Sequence, residues 1–208
     1  MTGAHQPPQY SYASADHTHS HSYLVPRVQN ILAELQPTTV FDLGCGNGSV
    51  AHILGSHFQV RGIDASESGI AHANQAYPDL QLEVASAYAD LAGRYGQFDV
   101  VVSLEVVEHL LDPRLYARRL FELVKPGGAA IVSTPFHGYW KNLALAVTGK
   151  MDGHFTALWD GGHIKFWSVR TLRSLLGEAG FEEGRFYFVG RIPQLAKSMI
   201  CVVRRPQV

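Results

Sequence analysis

The sequence contains few cysteines, no long apolar run and no excess of charge of either sign. Its two cysteines, Cys45 and Cys201, are too few for a disulfide framework, which favours a reducing compartment. The polar N-terminus lacks the apolar core of a signal peptide, and no apolar run approaches the roughly 20 residues that a spanning helix needs. We therefore predict a cytoplasmic protein with no integral membrane association.

The charge balance argues against a polyanionic partner. Seventeen basic and eighteen acidic residues leave a formal net charge of -1, whereas proteins that bind nucleic acid usually carry a basic patch or stripe. We therefore expect a small-molecule substrate and do not favour nucleic acid. A length of 208 residues with 46% hydrophobic residues fits one domain with one site, in a monomer or a homodimer.

Residues 1–22 are predicted to form an N-terminal arm, and residues 23–208 the folded domain. The arm contains paired prolines and the histidine-rich run 16–21, and it has no apolar periodicity. A His-rich tract can bind metal, but we favour a polar arm that closes over a ligand. From Leu24 the apolar residues recur at helical spacing as far as Leu35, which predicts a helix leading into the core.

The rest of the chain alternates between apolar runs and helical patterns. The apolar runs are 39–43, 59–63, 80–84, 98–103 and 129–133, and the helical patterns are 49–54, 68–75 and 113–124. Buried strands separated by helices predict a parallel sheet covered on both faces. After the fifth strand we predict a cap insertion over about 136–166, a helix over 169–179, and an antiparallel ribbon from 185–191 and 197–204.

A glycine-rich turn follows the first predicted strand. Strand residues Val40 to Leu43 run into Gly44-Cys45-Gly46-Asn47-Gly48, where glycine lets the backbone approach a ligand closely. A dinucleotide fingerprint requires Gly-x-Gly-x-x-Gly, but here the third glycine comes one residue early. Asp42 at the strand end would repel a pyrophosphate and could accept a hydrogen bond from an ammonium group.

The second predicted strand also ends in a carboxylate, Asp64. A carboxylate at that position can accept hydrogen bonds from both hydroxyls of a ribose. The alternative is that Asp64 is an ordinary turn residue. Its placement about twenty residues after the glycine turn favours the nucleoside role.

Four motifs together resemble the class I S-adenosylmethionine (SAM)-dependent methyltransferases. They are the glycine turn, the Gly-Ile-Asp strand end at 62–64, the Phe-Asp-Val-Val-Val-Ser run at 98–103, and Leu-Val-Lys-Pro-Gly-Gly at 123–128. The resemblance implies a Rossmann-like, doubly wound α/β sheet of seven strands, the last antiparallel, with SAM across the carboxyl ends of the strands.

The resemblance also implies a role for each matching residue. The backbone at Gly44 and Gly46 would run alongside the methionine part of SAM, and Asp64 would bind the ribose. Ser86 and Ala87 would flank the adenine, and Leu104 would cover the cofactor. We add Asp42, Cys45 and Ala65 to the predicted cofactor contacts, because they adjoin the glycine turn and Asp64 in sequence.

Residues 103–110 carry Glu-x-x-Glu-His and look like the matching segment of the ubiquinone-biosynthesis O-methyltransferases. In those enzymes a helical arginine contacts SAM, and Arg27 occupies the matching place if three residues are missing from the following loop.

The Glu-x-x-Glu-His segment could also hold a divalent cation. If it is helical, Glu105, Glu108 and His109 share one face, and His163 could be a fourth ligand. The small-RNA 2′-O-methyltransferases are similar in pairing such a segment with a downstream histidine. Imidazole suits Mn²⁺ or Zn²⁺ better than Mg²⁺. Because the Glu-His pair recurs in methyltransferases that need no metal, we favour no metal.

Methyl transfer to a hydroxyl requires a base, and histidine titrates in the useful range. The predicted catalytic residues are His109, His163 and Glu108. Aromatic residues in the cap insertion predict an aromatic or otherwise apolar acceptor. The favoured hypothesis is O-methylation of a small molecule. The alternatives are methylation of an RNA end or a protein side chain, a SAM-binding protein without turnover, and another use of SAM.

Overall fold

The computed structural model describes residues 12–16, 19–159 and 161–207. The strands in these ranges are β1 (Thr39–Leu43), β2 (Gln59–Asp64), β3 (Gln81–Val84), β4 (Phe98–Leu104), β5 (Val124–Pro135), β6 (Arg185–Val189) and β7 (Ser198–Arg204). The α-helices are α1 (His21–Leu35), α2 (Ser49–Gly55), α3 (Glu67–Ala76), α4 (Leu91–Tyr95), α5 (Pro113–Leu123), α6 (Tyr139–Val147), α7 (Met151–Phe155) and α8 (Val169–Glu178).

These strands form one sheet in the order β3-β2-β1-β4-β5-β7-β6. Strands β1 to β5 pair in parallel, whereas β7 runs antiparallel to both β5 and β6. The predicted Rossmann-like seven-stranded sheet with an antiparallel last strand is therefore confirmed. The order reverses at β1, so the cleft between β1 and β4 is the switch point at which such sheets bind ligands.

Apolar side chains on the two faces of the sheet form two cores. Successive residues of a strand point to opposite faces, so Val40 belongs to the core that contains Leu24 and Leu32 of α1, while Phe41 belongs to the core that contains Tyr116 of α5. Burial on both faces explains why these strands read as continuous apolar runs. The helices on the two faces leave the carboxyl ends of the strands as the edge on which a site can form.

The N-terminal helix begins earlier than the apolar pattern predicts. Helix α1 starts at His21, inside the predicted arm, because the carbonyl of Ser20 accepts hydrogen bonds from the backbone N–H groups of Tyr23 and Leu24 at 3.3 and 3.1 Å. Residues 1–11 and 17–18 of the arm lie outside the described residues. The predicted cap insertion contains α6 and α7. None of the helices in the described ranges is long and apolar enough to cross a membrane.

Candidate active site

The glycine turn folds back onto the end of β2. The backbone N–H groups of Gly44 and Cys45 both donate to the carbonyl of Ile63, at 2.8 and 2.9 Å. Gly44 has φ of 88°, and a Cβ atom there would overlap the side chain of Val106. Glycine is therefore required at this position both for its left-handed backbone and for the close approach of the segment that follows β4.

Asp64 is tied to the same turn. Its Oδ2 accepts a hydrogen bond from the backbone N–H of Gly46 at 2.8 Å, and its Oδ1 accepts one from the backbone N–H of Ser66 at 2.7 Å. The pKa of this carboxyl is raised, because the effect of burial outweighs that of the two backbone hydrogen bonds, which lower it. Each oxygen of a carboxylate can accept more than one hydrogen bond, so the geometry fits a ribose diol.

Asp42 supplies a second buried carboxyl beside the turn. It is 2% exposed, and its Oδ2 has no hydrogen-bond partner among the described residues. Burial, and next the charge of Asp64, raise the pKa of Asp42 to about 7. A buried polar atom without a partner is costly, and a ligand ammonium group would provide the missing donor. The residues at this turn therefore fit the amino-acid end of SAM.

The remaining residues predicted to contact the cofactor fall into two groups. Ala65, Ser86, Ala87 and Leu104 lie at or just beyond the carboxyl ends of β2, β3 and β4, and Cys45 is buried in the glycine turn. Arg27 is different. Its guanidinium lies 4.8 Å from the ring centroid of Tyr187 on β6, at the opposite edge of the sheet from β3, so its contact with SAM stays a prediction.

The segment is not the helix that would put Glu105, Glu108 and His109 on one face. Only Val107–His109 forms a helical turn, and it is of the 3₁₀ type. Glu105 has φ of 56°, a left-handed conformation that ends the strand and starts a new direction. The side chain of Glu105 accepts hydrogen bonds from the hydroxyls of Ser133 at 2.8 Å and Ser198 at 3.3 Å.

His109 is held by the cap insertion. Its Nδ1 lies 2.9 Å from the carbonyl of Gly161 and 3.1 Å from that of Gly162. Because a carbonyl oxygen only accepts hydrogen bonds, Nδ1 carries the proton. In the neutral ring the lone pair therefore lies on Nε2. Burial is the largest influence on the pKa of His109 and lowers it, so this imidazole is neutral and able to accept a proton near pH 7.

The backbone of Glu108 fixes the same loop from the other side. Its carbonyl accepts hydrogen bonds from the N–H groups of Ile164 at 2.9 Å and Lys165 at 3.0 Å. These bonds bring His163 next to His109, with the two ring centroids 4.9 Å apart. Burial, and next the charges of His109 and His154, lower the pKa of His163 to about 4.

Glu108, His109 and His163 each offer a ligand atom, and these atoms lie within 4.8 Å of one another. The Glu108 side chain is 1% exposed, and neither of its carboxylate oxygens has a hydrogen-bond partner among the described residues. Burial, and next the charge of Glu105, raise the pKa of Glu108 well above its usual range. Glu105 is turned toward the serines and is not one of the three clustered groups.

The aromatic cap assembles only in part. His137, Phe155 and Phe166 pack against one another, with centroid distances of 4.9 to 5.8 Å. Tyr139 and Trp140 instead contact each other and are 72% and 60% exposed. Burial, followed by the charge of Lys141, lowers the pKa of His137 to about 4. The aromatic surface is therefore neutral at physiological pH.

Sequence reasoning missed several polar neighbours of this site. Ser133 and Ser198 come from β5 and β7 and meet only through their antiparallel pairing, Pro135 with Ser198 and Ser133 with Ile200. Lys141 lies four residues after His137, in α6, and donates a hydrogen bond to the carbonyl of Phe136 at 3.0 Å. The alternation of side chains along β5 and β7 would have predicted the positions of these serines if the pairing register of the two strands had been known.

A family model described as a methyltransferase domain matches residues 16–183. The chain belongs to this family. A ubiquinone biosynthesis O-methyltransferase of Caulobacter vibrioides is 38% identical over 164 residues, which are 74% of this chain and 64% of the relative. The enzyme of the same name from Thiobacillus denitrificans is 34% identical over 157 residues, 72% of this chain and 67% of the relative. The matches thus cover about two thirds of these longer methyltransferases.

Solved methyltransferase structures share the fold. The methyltransferase domain of bacterial CtHen1 superposes with a TM-score of 0.65 at 24% identity, covering 86% of this chain and 96% of that domain. Magnesium protoporphyrin IX methyltransferase from Synechocystis, with bound SAH (S-adenosylhomocysteine), superposes with a TM-score of 0.66 at 24% identity. The superposition covers 87% of this chain and 81% of that enzyme. The resemblance to class I SAM-dependent methyltransferases is therefore confirmed, and SAM is the cofactor of the family.

Proposed function

We propose that this methyltransferase moves a methyl group from SAM to a hydroxyl of a small aromatic or apolar acceptor, with His109 as the base. The observation that carries this proposal is the way His109 is held. Two cap carbonyls fix its Nδ1 proton, so the basic Nε2 belongs to a half-buried ring that is oriented by the cap. The charge of Asp64 also acts on the pKa of the same ring and raises it, which supports a position of the base near the cofactor turn.

When bound, SAM supplies a methyl group that leaves a sulfonium sulfur by in-line displacement. The protein must then align the acceptor and manage its proton. His109 Nε2 takes the proton of the acceptor hydroxyl, while the carbonyls of Gly161 and Gly162 hold the proton on Nδ1. His163 and Glu108 complete the polar cluster around His109. Asp64 and the glycine turn hold the cofactor in register.

The character of the acceptor is inferred from the cap and from the relatives. The surface formed by His137, Phe155 and Phe166 carries no charge near pH 7, which suits a flat apolar ring better than a charged substrate. Two similar curated proteins are named ubiquinone biosynthesis O-methyltransferase. A cytoplasmic location, a small-molecule partner, and a monomer or homodimer remain part of the proposal.

The direct experiment is incubation with SAM labelled in the methyl group and a panel of phenols, quinols, thiols and amines. We expect label to be recovered in methyl ethers of phenols or quinols. Label found only in thioethers or methylamines would contradict O-methylation. SAM consumption without any methylated acceptor would favour another use of SAM, and SAM binding without consumption would favour a SAM-binding protein without turnover.

A metal-assisted reaction is the second candidate, because the buried Glu108 carboxylate lacks a partner among the described residues. Glu108, His109 and His163 could bind Mn²⁺ or Zn²⁺, for which imidazole is a suitable ligand. Such an ion would polarise the acceptor hydroxyl and make a base less important. The ligand atoms of these three residues lie close enough together to bind one ion, whereas Glu105 is not part of the cluster.

We predict that removing divalent metal leaves turnover unchanged, because the base mechanism uses protein side chains alone. The measurement is the initial rate of methyl transfer after dialysis against EDTA, with untreated enzyme as the control. A loss of activity that Mn²⁺ or Zn²⁺ restores in the wild type, but not in Glu108→Gln, would select the metal-assisted reaction instead.

We also predict that SAM affinity depends on pH through Asp42. Its pKa of about 7 in the structure means that a growing share of the free protein carries a proton on Asp42 below pH 7, which must leave before the carboxylate can bind an ammonium group. Binding therefore weakens as pH falls, by about tenfold between pH 8 and pH 6, since about one tenth of the carboxyl is ionised one unit below its pKa.

Calorimetric titrations with SAM at the two pH values measure this dependence directly. Asp42→Asn should bind more weakly and lose most of the pH dependence, whereas Asp79→Asn, at an exposed position after α3, should behave as the wild type. Equal affinity of the wild type at pH 6 and pH 8 would contradict the role of Asp42.

A further inference from the structure

A short N-terminal segment, Tyr12–Asp16, lies across the glycine turn. The backbone N–H of Tyr12 donates to the Ser68 hydroxyl at 3.1 Å. The hydroxyl of Tyr77 donates to the carbonyl of Ala15 at 3.4 Å. The segment is thus attached to α3 and to the residue that follows it, although it is far from both in sequence.

The ring of Tyr12 rests directly on two glycine backbones. A Cβ atom at Gly46 would overlap the Tyr12 hydroxyl and lie 2.8 Å from its Cζ, and a Cβ atom at Gly69 would lie 2.8 Å from Cδ2 of the same ring. Gly46 is the residue whose N–H binds Asp64. The tyrosine therefore stands beside the carboxylate that we assign to the ribose.

Asn47, in the middle of the glycine turn, holds this segment down. Its side chain is 3% exposed, and its Nδ2 donates to the carbonyls of Ser14 at 2.9 Å and Asp16 at 2.8 Å. Its Oδ1 accepts from the backbone N–H of Ser49 at 3.3 Å. One buried amide thus connects the segment, the turn and the start of α2, so that a movement of the segment requires two hydrogen bonds to break.

We infer that Tyr12 is a further cofactor-binding residue and that Tyr12–Asp16 is a strap, latched by Asn47, that closes over the ribose end of the SAM site. The inference rests on the proposed function, because it takes the cleft beside Asp64 as the place where SAM binds. With the strap latched, Tyr12 covers the turn and hinders escape of the bound nucleoside. Exchange of SAH for SAM requires the two Asn47 hydrogen bonds to open.

The strap predicts fast cofactor release when either contact is removed. Tritiated SAM bound to the full-length protein is chased with excess unlabelled SAH, and rapid filtration gives the dissociation rate. We expect Tyr12→Ala and Asn47→Ala to release SAM about tenfold faster than the wild type, the order expected from losing one or two net hydrogen bonds or an aromatic contact. Tyr12→Phe keeps the ring and should stay within about threefold of the wild type.

Matched controls separate the strap from general damage. Asn30→Ala changes an exposed asparagine of α1 and should release SAM at the wild-type rate. If Asn47→Ala lowers the melting temperature sharply, Tyr12→Ala decides the question alone, because Tyr12 is only half-buried. Wild-type release by Tyr12→Ala overturns the strap and leaves the proposed function standing, whereas absence of SAM binding by the wild type overturns both.

Discussion

Replacement of His109 with alanine is expected to reduce kcat by about a hundredfold or more while SAM affinity changes less than about twofold. General-base catalysis by a positioned side chain contributes on the order of 10²–10⁴-fold. His109 is the imidazole whose tautomer is fixed by Gly161 and Gly162, and its lowered pKa keeps it unprotonated. Steady-state rates with the best phenol or quinol, together with calorimetric SAM titration, measure the two effects separately.

The control for this prediction is His57→Ala, which changes an exposed histidine after α2 and should leave both quantities at wild-type values. His163→Ala should reduce kcat less than His109→Ala, because His163 lies beside the base and does not carry the proton. Equal losses in kcat and SAM affinity in His109→Ala would show that the residue supports the cofactor site, and that outcome would contradict its role as base.

Replacement of Asp64 with alanine is expected to weaken SAM binding by about 1–3 kcal/mol, since a partnered polar group costs about this much when it is removed. The variant loses the acceptor for the ribose hydroxyls. It also leaves the N–H groups of Gly46 and Ser66 without the oxygens that bind them at 2.8 and 2.7 Å. Both losses act on the turn that we propose to bind the methionine part of SAM.

Asp64→Asn provides the graded comparison, because an amide keeps one acceptor oxygen and loses the other. Its affinity should fall between those of the wild type and Asp64→Ala, and Asp79→Ala should match the wild type. If Asp64→Ala binds SAM with unchanged affinity in calorimetry, while the thermal unfolding of the variant is normal, the ribose assignment is wrong.

The strands of the parallel sheet could be read from sequence because their residues are buried on both faces. The run 39–43 coincides with β1, and the run 98–103 falls one residue short of the end of β4. The ribbon formed by β6 and β7 was also predicted, since two short apolar segments close in sequence favour antiparallel pairing. The pattern of buried residues predicted the existence of these strands more accurately than the residues at which they begin and end.

The contacts of the candidate site were less predictable, because they join distant segments without a local pattern. His109 meets Gly161 across 52 residues, and Tyr12 meets Ser68 across 56. The left-handed conformation of Glu105 has no signal in its residue type, since glutamate rarely adopts positive φ. Because of this dihedral, Glu105 does not lie with Glu108 and His109, as it would if the segment were a helix.

The central claim is that the turn at Gly44 and the carboxylate of Asp64 together bind an adenosyl ligand. A crystal structure of the protein grown with SAH tests it most directly. We predict electron density for the ribose hydroxyls within hydrogen-bond distance of Asp64 and for the amino-acid end beside Asp42. A structure in which SAH is absent from this cleft, and a nicotinamide or flavin nucleotide occupies it instead, would contradict the claim.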